Sequence, residues 1–299
     1  MSEETIVADV VLLGHIAQDI IVIKGTSRFE IGGAVYYGGI AASHMGLKVL
    51  VITRLRTEDF HILSDFDKYG VKYIAFPSEE TTGIKNVYTS ENMEYRECFP
   101  TSGFAGAFKQ EDMPNIETKF FVICPLLVGE VDLSLLDYLS KKYPKKICMD
   151  IQGFVRAFDK EKIYFCNLTE DVQKQILSKV NMLKVDHAEA EALTKTKDIE
   201  IAAKRLLKMG PKEVLLSHEE GLSVYTNNGS YFYAWKYTQL AGRTGRGDTA
   251  FIAYVSSRIN KSPKDALKFA VALTSLKLEK PGPFILPIDL VEDLIKKGF

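Results

Sequence analysis

The sequence predicts an α/β fold: a mostly parallel central sheet with helices on both faces, and a small β lid outside it. Three observations predict it. Short β-rich runs alternate with helical patterns along most of the chain. Two stretches break that rhythm with paired strands and no helix between them. The 299 residues hold no linker rich in Pro, Gly or Ser, no low-complexity tract and no repeat, so residues 1–299 read as a single domain.

The strand-like runs are VADVVLLG, KVLVIT, KYIAF, KFFVIC, KKICMD, NMLKVD and KEVLLS. Between several of them lie YYGGIAASHMG, FHILSDFDKYG, LSLLDYLSKKY, DVQKQILSKV, HAEAEALT and IEIAAKRLLKMG, with helical spacing. Helical crossovers of this kind place strands side by side in parallel and cover both faces. The lid segments are about 19–31 and 82–99. The first has DIIVI and RFEI around a KGTS turn, and the second has two strand-like pieces around SEN.

Composition excludes several classes. A hydrophobic fraction of 46% suits a sizeable globular core. With 38 basic and 39 acidic residues, no overall field recruits nucleic acid or an anionic membrane. The N-terminal MSEETIVADVVLL is acidic where a signal peptide is basic, and no apolar run has membrane-span length. Cys98, Cys124, Cys148 and Cys166 lack CxxC spacing, as reduced thiols of a cytoplasmic protein would. There is no G-x-x-x-x-G-K-[ST], no G-x-G-x-x-G after the first strand and no G-x-S-x-G. His15, His44, His61, His187 and His218 show no paired metal spacing.

The most informative stretch is Gly242-Arg243-Thr244-Gly245-Arg246-Gly247-Asp248-Thr249, which opens the apolar helical run AFIAYVSSRI. Thr249 and the glycines before it stand where a helix should begin. N–H groups there have no intrahelical partner and favour an anion. Asp248 beside such an anion suits a base that takes a proton from an attacking hydroxyl. A helix N-cap after a Gly-rich turn is the plain alternative.

Further sites stand at other strand ends. Gly14-His15-Ile16-Ala17-Gln18-Asp19 offers a carboxylate to the crevice there, or a turn Asp. Gly32-Gly33, ahead of Tyr36, Tyr37 and Gly38-Gly39, permits close backbone approach at a hinge or ligand, or a tight turn. Asp150, Gln152 and Arg156 share one rim, as ligand contacts or as an exposed loop with a surface ion pair. Asp186 and Glu189 form either a capping box or part of a hydrated Mg²⁺ site. Ser217 ends a strand, and Gly221 opens a hairpin with an Asn228-Gly229 turn.

In this order the motifs closely resemble the ribokinase/PfkB family of carbohydrate kinases, over essentially the whole chain. The family's D-T-x-G-A-G-D appears as Gly242 to Asp248, its N-terminal glycine pair as Gly32-Gly33, and its N-x-x-E as Asp186 to Glu189. The resemblance implies a ribokinase-like three-layer sandwich. It implies Asp248 as catalytic base, and an anion hole from the N–H groups of Gly245, Arg246 and Gly247. Asp19, Gly32 and Gly33 would meet the acceptor substrate, with Tyr37, Gln152 and Arg156 beside it. Asp186 and Glu189 would hold Mg²⁺ through water. Ser217, Gly221, Thr244, Lys280 and Gly282 would border ATP, with Lys280-Pro281-Gly282 near the adenine. The lid would close to exclude water. Its open edge could pair with that of a second chain in a homodimer.

The departures are specific. The motif's leading Asp is Gly242, its small anion-hole residue is Arg246, and Arg243 is a further added cation. Many relatives use a monovalent cation beside this loop. The two guanidiniums are expected to replace it, making activity independent of K⁺, unless both face solvent. The Asn expected on the first helix is Tyr37. GH-x-x-x-D, GGA and DIQ-x-x-x-R-x-FD look most like the inositol-kinase-like branch. The implied function is an ATP- and Mg²⁺-dependent kinase of a small sugar or polyol, inositol-like. The alternatives are a nucleoside kinase of the same fold and a non-catalytic metabolite-binding protein.

Overall fold

The computed structural model describes residues 5–88, 96–101 and 103–298. Strand β1 (Ile6–Leu13) is wholly buried and apolar over its last four residues, as a central parallel strand must be. The chain then leaves for the hairpin β2 (Ala17–Ile23) and β3 (Thr26–Gly32). It returns through α1 (Ala34–His44) to β4 (Val49–Arg56). A 3₁₀ segment and the short α2 (Ser64–Lys68) lead to β5 (Lys72–Ser78). A second excursion, β6 (Ile84–Tyr88) and β7 (Arg96–Pro100), precedes β8 (Ile116–Ile123). Next come α3 (Leu133–Lys142), β9 (Ile147–Asp150), α4 (Gln152–Val155) and the ribbon β10 (Arg156–Phe158) and β11 (Ile163–Phe165). After α5 (Glu170–Leu177) come β12 (Met182–Asp186), α6 (His187–Thr194), α7 (Ile199–Lys208) and β13 (Glu213–Ser217). The hairpin β14 (Gly221–Thr226) and β15 (Gly229–Ala234) follows, then α8 (Arg246–Ser257), α9 (Pro263–Leu278) and α10 (Ile288–Lys296).

The main sheet runs β15-β14-β13-β12-β9-β8-β1-β4-β5. Every neighbouring pair from β13 to β5 is parallel, and the last hairpin adds an antiparallel edge. The apolar faces of α1, α8 and α9 pack on one side, and those of α3, α5 and α7 on the other. Gly38 is needed between α1 and α8, because a Cβ there would lie 2.2 Å from Ile252 Cγ1. Strand order reverses around β1, which opens a crevice at the C-terminal strand ends.

The lid is a second sheet ordered β3-β2-β6-β7 above that crevice. Its turn is tighter than KGTS suggests. Only Lys24 and Gly25 turn, with φ of 48° and 80°, and Thr26 and Ser27 belong to β3. Two left-handed residues match the twist of paired strands, so the hairpin takes the short turn. The SEN turn lies outside the described residues. FHILSDFDKYG is not one helix: it is 3₁₀ from Thr57 to Leu63, then α2. Asp59 turns inward there, accepting from Thr81 Oγ1 at 2.6 Å, and its local bonds compete with a regular helix.

Glu130 clamps the lid base. It is fully buried and accepts N–H bonds from His15 (3.2 Å), Leu126 (2.7 Å) and Leu127 (2.9 Å). His15 Nδ1 lies 2.8 Å from Thr82 Oγ1, where the second lid segment begins. Burial pushes the Glu130 carboxyl up to about 8 and the His15 imidazole down to about 3. Cys98, Cys124, Cys148 and Cys166 are all free thiols. Among the described residues no helix is long and apolar enough to cross a membrane.

Candidate active site

One cavity of about 1320 Å³ lies between the C-terminal edge of the sheet and the lid. Helix α8 points its N-terminus into it. The helix begins at Arg246, earlier than Thr249, because Gly245 adopts φ 75° as N-cap and starts the turn there. Asp248 thus lies in the first turn and lines the cavity at the helix's positive end. Of the three expected anion-hole donors, Arg246 N–H is engaged, bonding Arg243 O at 3.1 Å. The N–H groups of Gly245 and Gly247 bond no acceptor among the described residues.

On the lid side, Asp19 lines the cavity and is fixed by the N–H of Ile84 at 3.0 Å. A Cβ on Gly32 would stand 2.4 Å from Asp19 Oδ2, and one on Gly33 would stand 2.4 Å from His15 O. Both glycines are required by close approach, and Gly33 also has φ 100°. Asn86, buried and bonded by Cys98 Sγ at 3.4 Å, lines the same wall, although the sequence did not single it out. Tyr37 reaches the cavity, but its ring lies under Gly245, where a Cβ would meet it at 2.3 Å. It supports the loop rather than replacing the missing amide. Gln152 lines the rim and donates to Leu126 O at 3.3 Å.

Arg156 sits in no exposed loop. It is 8% exposed and clamps two carboxylates: Nη2 is 2.8 Å from Asp186 Oδ2 and 2.9 Å from Glu189 Oε1. Asp186 and Glu189 also form a complete capping box, with reciprocal bonds of 2.8 and 2.7 Å. Glu189 is fully buried. Its Oε2 faces Lys184 Nζ at 3.9 Å, and that ammonium pairs with Asp150 at 2.8 Å. The Arg156 guanidinium thus partly neutralises the carboxylates that the sequence reading assigned to a hydrated Mg²⁺. Among the described residues no group of three His, Cys, Asp or Glu could hold a metal ion. Burial drives the Lys184 pKa down, but Asp150, Glu189, Asp186 and Asp248 outweigh it and hold the ammonium charged. The sequence signal for Lys184 was a cation inside an apolar strand.

Of the residues expected beside ATP, Ser217 and Thr244 line the cavity, as do Arg243 and Arg246. The Arg246 guanidinium lies 5.7 Å over the Trp235 ring, so it is held rather than loose in solvent. Gly221, Lys280 and Gly282 do not line the cavity. Gly221 serves the hairpin, where a Cβ would lie 2.2 Å from Tyr233 O. Lys280 packs its carbonyl against Gly242, 1.8 Å from where a Cβ would be. That contact also explains why the motif's leading Asp is absent.

The glycine pair, the lid and the α8 terminus share one crevice in a single chain order, and residues 8–288 match the pfkB family of carbohydrate kinases as a whole. The chain belongs to that family. Among solved structures, a pyrophosphate-dependent kinase in the ribokinase family, complexed with a pyrophosphate analogue and myo-inositol, is 32% identical. That match covers 95% of this chain and 99% of the other, with a TM-score of 0.85. Arabidopsis thaliana ribokinase complexed with ribose and ATP shares the fold, at TM-score 0.73 and 17% identity over 97% of this chain and 99% of that one. By sequence, the cytidine kinase of Thermococcus kodakarensis is 26% identical over 252 residues, 80% of this chain and 84% of that protein. The fold is therefore the ribokinase-like α/β fold of a pfkB carbohydrate kinase, as the sequence predicts.

Proposed function

We propose that this pfkB kinase transfers a phosphoryl group from a polyphosphate donor to one hydroxyl of an inositol-like polyol. The observation that carries the reading is the single cavity shared by Asp248, the α8 N-terminus, Asp19 and the lid. The acceptor hydroxyl, held against Asp19 and Gly33, attacks the donor's terminal phosphorus. Its proton passes to the Asp248 carboxylate, the new O–P bond forms, and the P–O bond to the leaving phosphate breaks. The N–H groups of Gly245 and Gly247 take up the charge on the moving phosphoryl group.

Pyrophosphate is the favoured donor. Arg243, Arg246 and Lys184 line the donor side, while the Lys280 and Gly282 expected beside an adenine lie outside the cavity. The 32%-identical relative is pyrophosphate-dependent, which supports this. ATP, the donor expected from the sequence, is the second reading, and cytidine is the second acceptor because of the 26%-identical relative. Phosphorus NMR of product formation should compare myo-inositol, ribose and cytidine, each with pyrophosphate and with ATP. The expected result is turnover of inositol with pyrophosphate at least about tenfold faster than any other pair. Faster turnover of cytidine, or of inositol with ATP, would replace the corresponding half of the reading.

A further inference from the structure

The loop that presents the anion hole is tied to a buried lysine. Lys277, near the end of α9, is 2% exposed. Its ammonium donates to the carbonyls of Gly242 and Thr244 and lies 5.0 Å from the Tyr37 ring centre. Among the described residues it forms no ion pair. A methionine of similar length would fill the space without the cost of burying a charge. The charge is therefore kept for what it does to the loop.

We propose that Lys277 is a positioning residue of the phosphoryl-transfer site, its ammonium holding the loop so that the anion-hole N–H groups face the cavity. The stereochemistry is direct. In a trans peptide the C=O and the following N–H point in opposite directions. Drawing Thr244 O inward to Lys277 turns the N–H of Gly245 outward to the cavity, and drawing Gly242 O inward does the same for Arg243. The surroundings hold the geometry. Ala241 and Gly242 both donate to Leu278 O, at 2.9 and 2.8 Å. The Tyr37 ring that meets the ammonium also supports Gly245. The lysine acts as a built-in monovalent cation, a role the sequence reading gave to Arg243 and Arg246.

The groups facing Lys277 are Asp248 and Arg246 from α8, Glu30 from β3 and Tyr37 from α1. Burial lowers its pKa to about 8. Asp248 and Glu30 oppose that shift, and Arg246 adds to it. Activity that needs the ammonium charged should fall as pH rises past that value.

The inference rests on the phosphoryl-transfer reading, so its test includes a readout free of turnover. Binding of methylene diphosphonate, an unreactive pyrophosphate analogue, should be measured by calorimetry for wild type, Lys277→Met and Lys277→Ala, alongside kcat and Tm. Expected are weakening of binding by about tenfold or more in both variants, a Lys277→Met Tm at or above wild type, and a kcat loss of about a hundredfold. Methylammonium should restore Lys277→Ala activity at least several-fold and leave wild type unchanged, whereas tetramethylammonium should not. Wild-type binding and kcat in Lys277→Met would overturn the proposal, as would loss of folded protein in both variants. If wild type binds the analogue yet phosphorylates no acceptor, the function fails and the loop geometry stands.

Discussion

Replacing Glu130 by Gln tests the clamp at the lid base. Its carboxyl titrates near 8 in the folded chain, against an ordinary value of 4.5, because burial penalises the charged form. A raised carboxyl contributes stability that is complete below 4.5 and is lost as pH rises through about 8. His15, lowered from 6.5 to about 3, works the other way, but only below 6.5. Between pH 6.5 and 8, Glu130 therefore acts without opposition from its neighbour. Across that interval the linkage amounts to about 2 kcal/mol, or roughly 3 °C in Tm for a chain of this length. The assay is thermal unfolding of wild type and Glu130→Gln in matched buffers at several pH values. Wild type should lose those degrees on going from pH 6.5 to 8, and Glu130→Gln should not. The variant should also be less stable at pH 6.5 by about 1–3 kcal/mol, because its amide presents N–H donors to the His15 N–H, which an oxygen of the protonated carboxyl accepts. A parallel pH slope in both proteins would refute the reasoning, since another group would then be titrating.

Asp248→Asn should lower kcat at least about a hundredfold and leave Tm within a degree or two of wild type, as steady-state kinetics and calorimetry can check. Near-native turnover would remove Asp248 as the base. Glu189→Gln should leave the Mg²⁺ concentration needed for activity unchanged and cost stability by about 1–3 kcal/mol, because Arg156 would lose a buried charged partner. A raised Mg²⁺ requirement at unchanged Tm would instead support the hydrated Mg²⁺ site.

The fold was legible because its signals are local and repeated. Apolar runs of strand length alternate with helical spacing, and the helix-free lid segments stand out against them. The glycine pair at the lid junction was legible for a similar reason. Gly33 is fixed by close approach to the His15 carbonyl and Gly32 by the Asp19 carboxylate beside it, and such contacts leave glycines in the sequence. What the sequence hid are pairings between distant segments. Arg156 was expected beside the substrate or in a surface ion pair, and β10 carries it onto Asp186 and Glu189. Lys277 was not singled out in the sequence, where nothing local marks its reach to Gly242 and Thr244. Asn86 is named only by the lid's register, which sets it opposite Cys98 on the cavity wall.

Helix α1 has a mechanical consequence. Gly33 caps its N-terminus at the end of lid strand β3, and Tyr37, one turn further on, carries Gly245 and Lys277 on its ring. Lid hinge and phosphate loop are thus separated by a single rigid turn with an aromatic plate at its end. A tilt of the lid that pivots at Gly33 must displace that plate, and with it the N-cap of α8. On the proposed function, an acceptor that moved the lid at Gly33 would through this contact also move the loop at the α8 N-terminus.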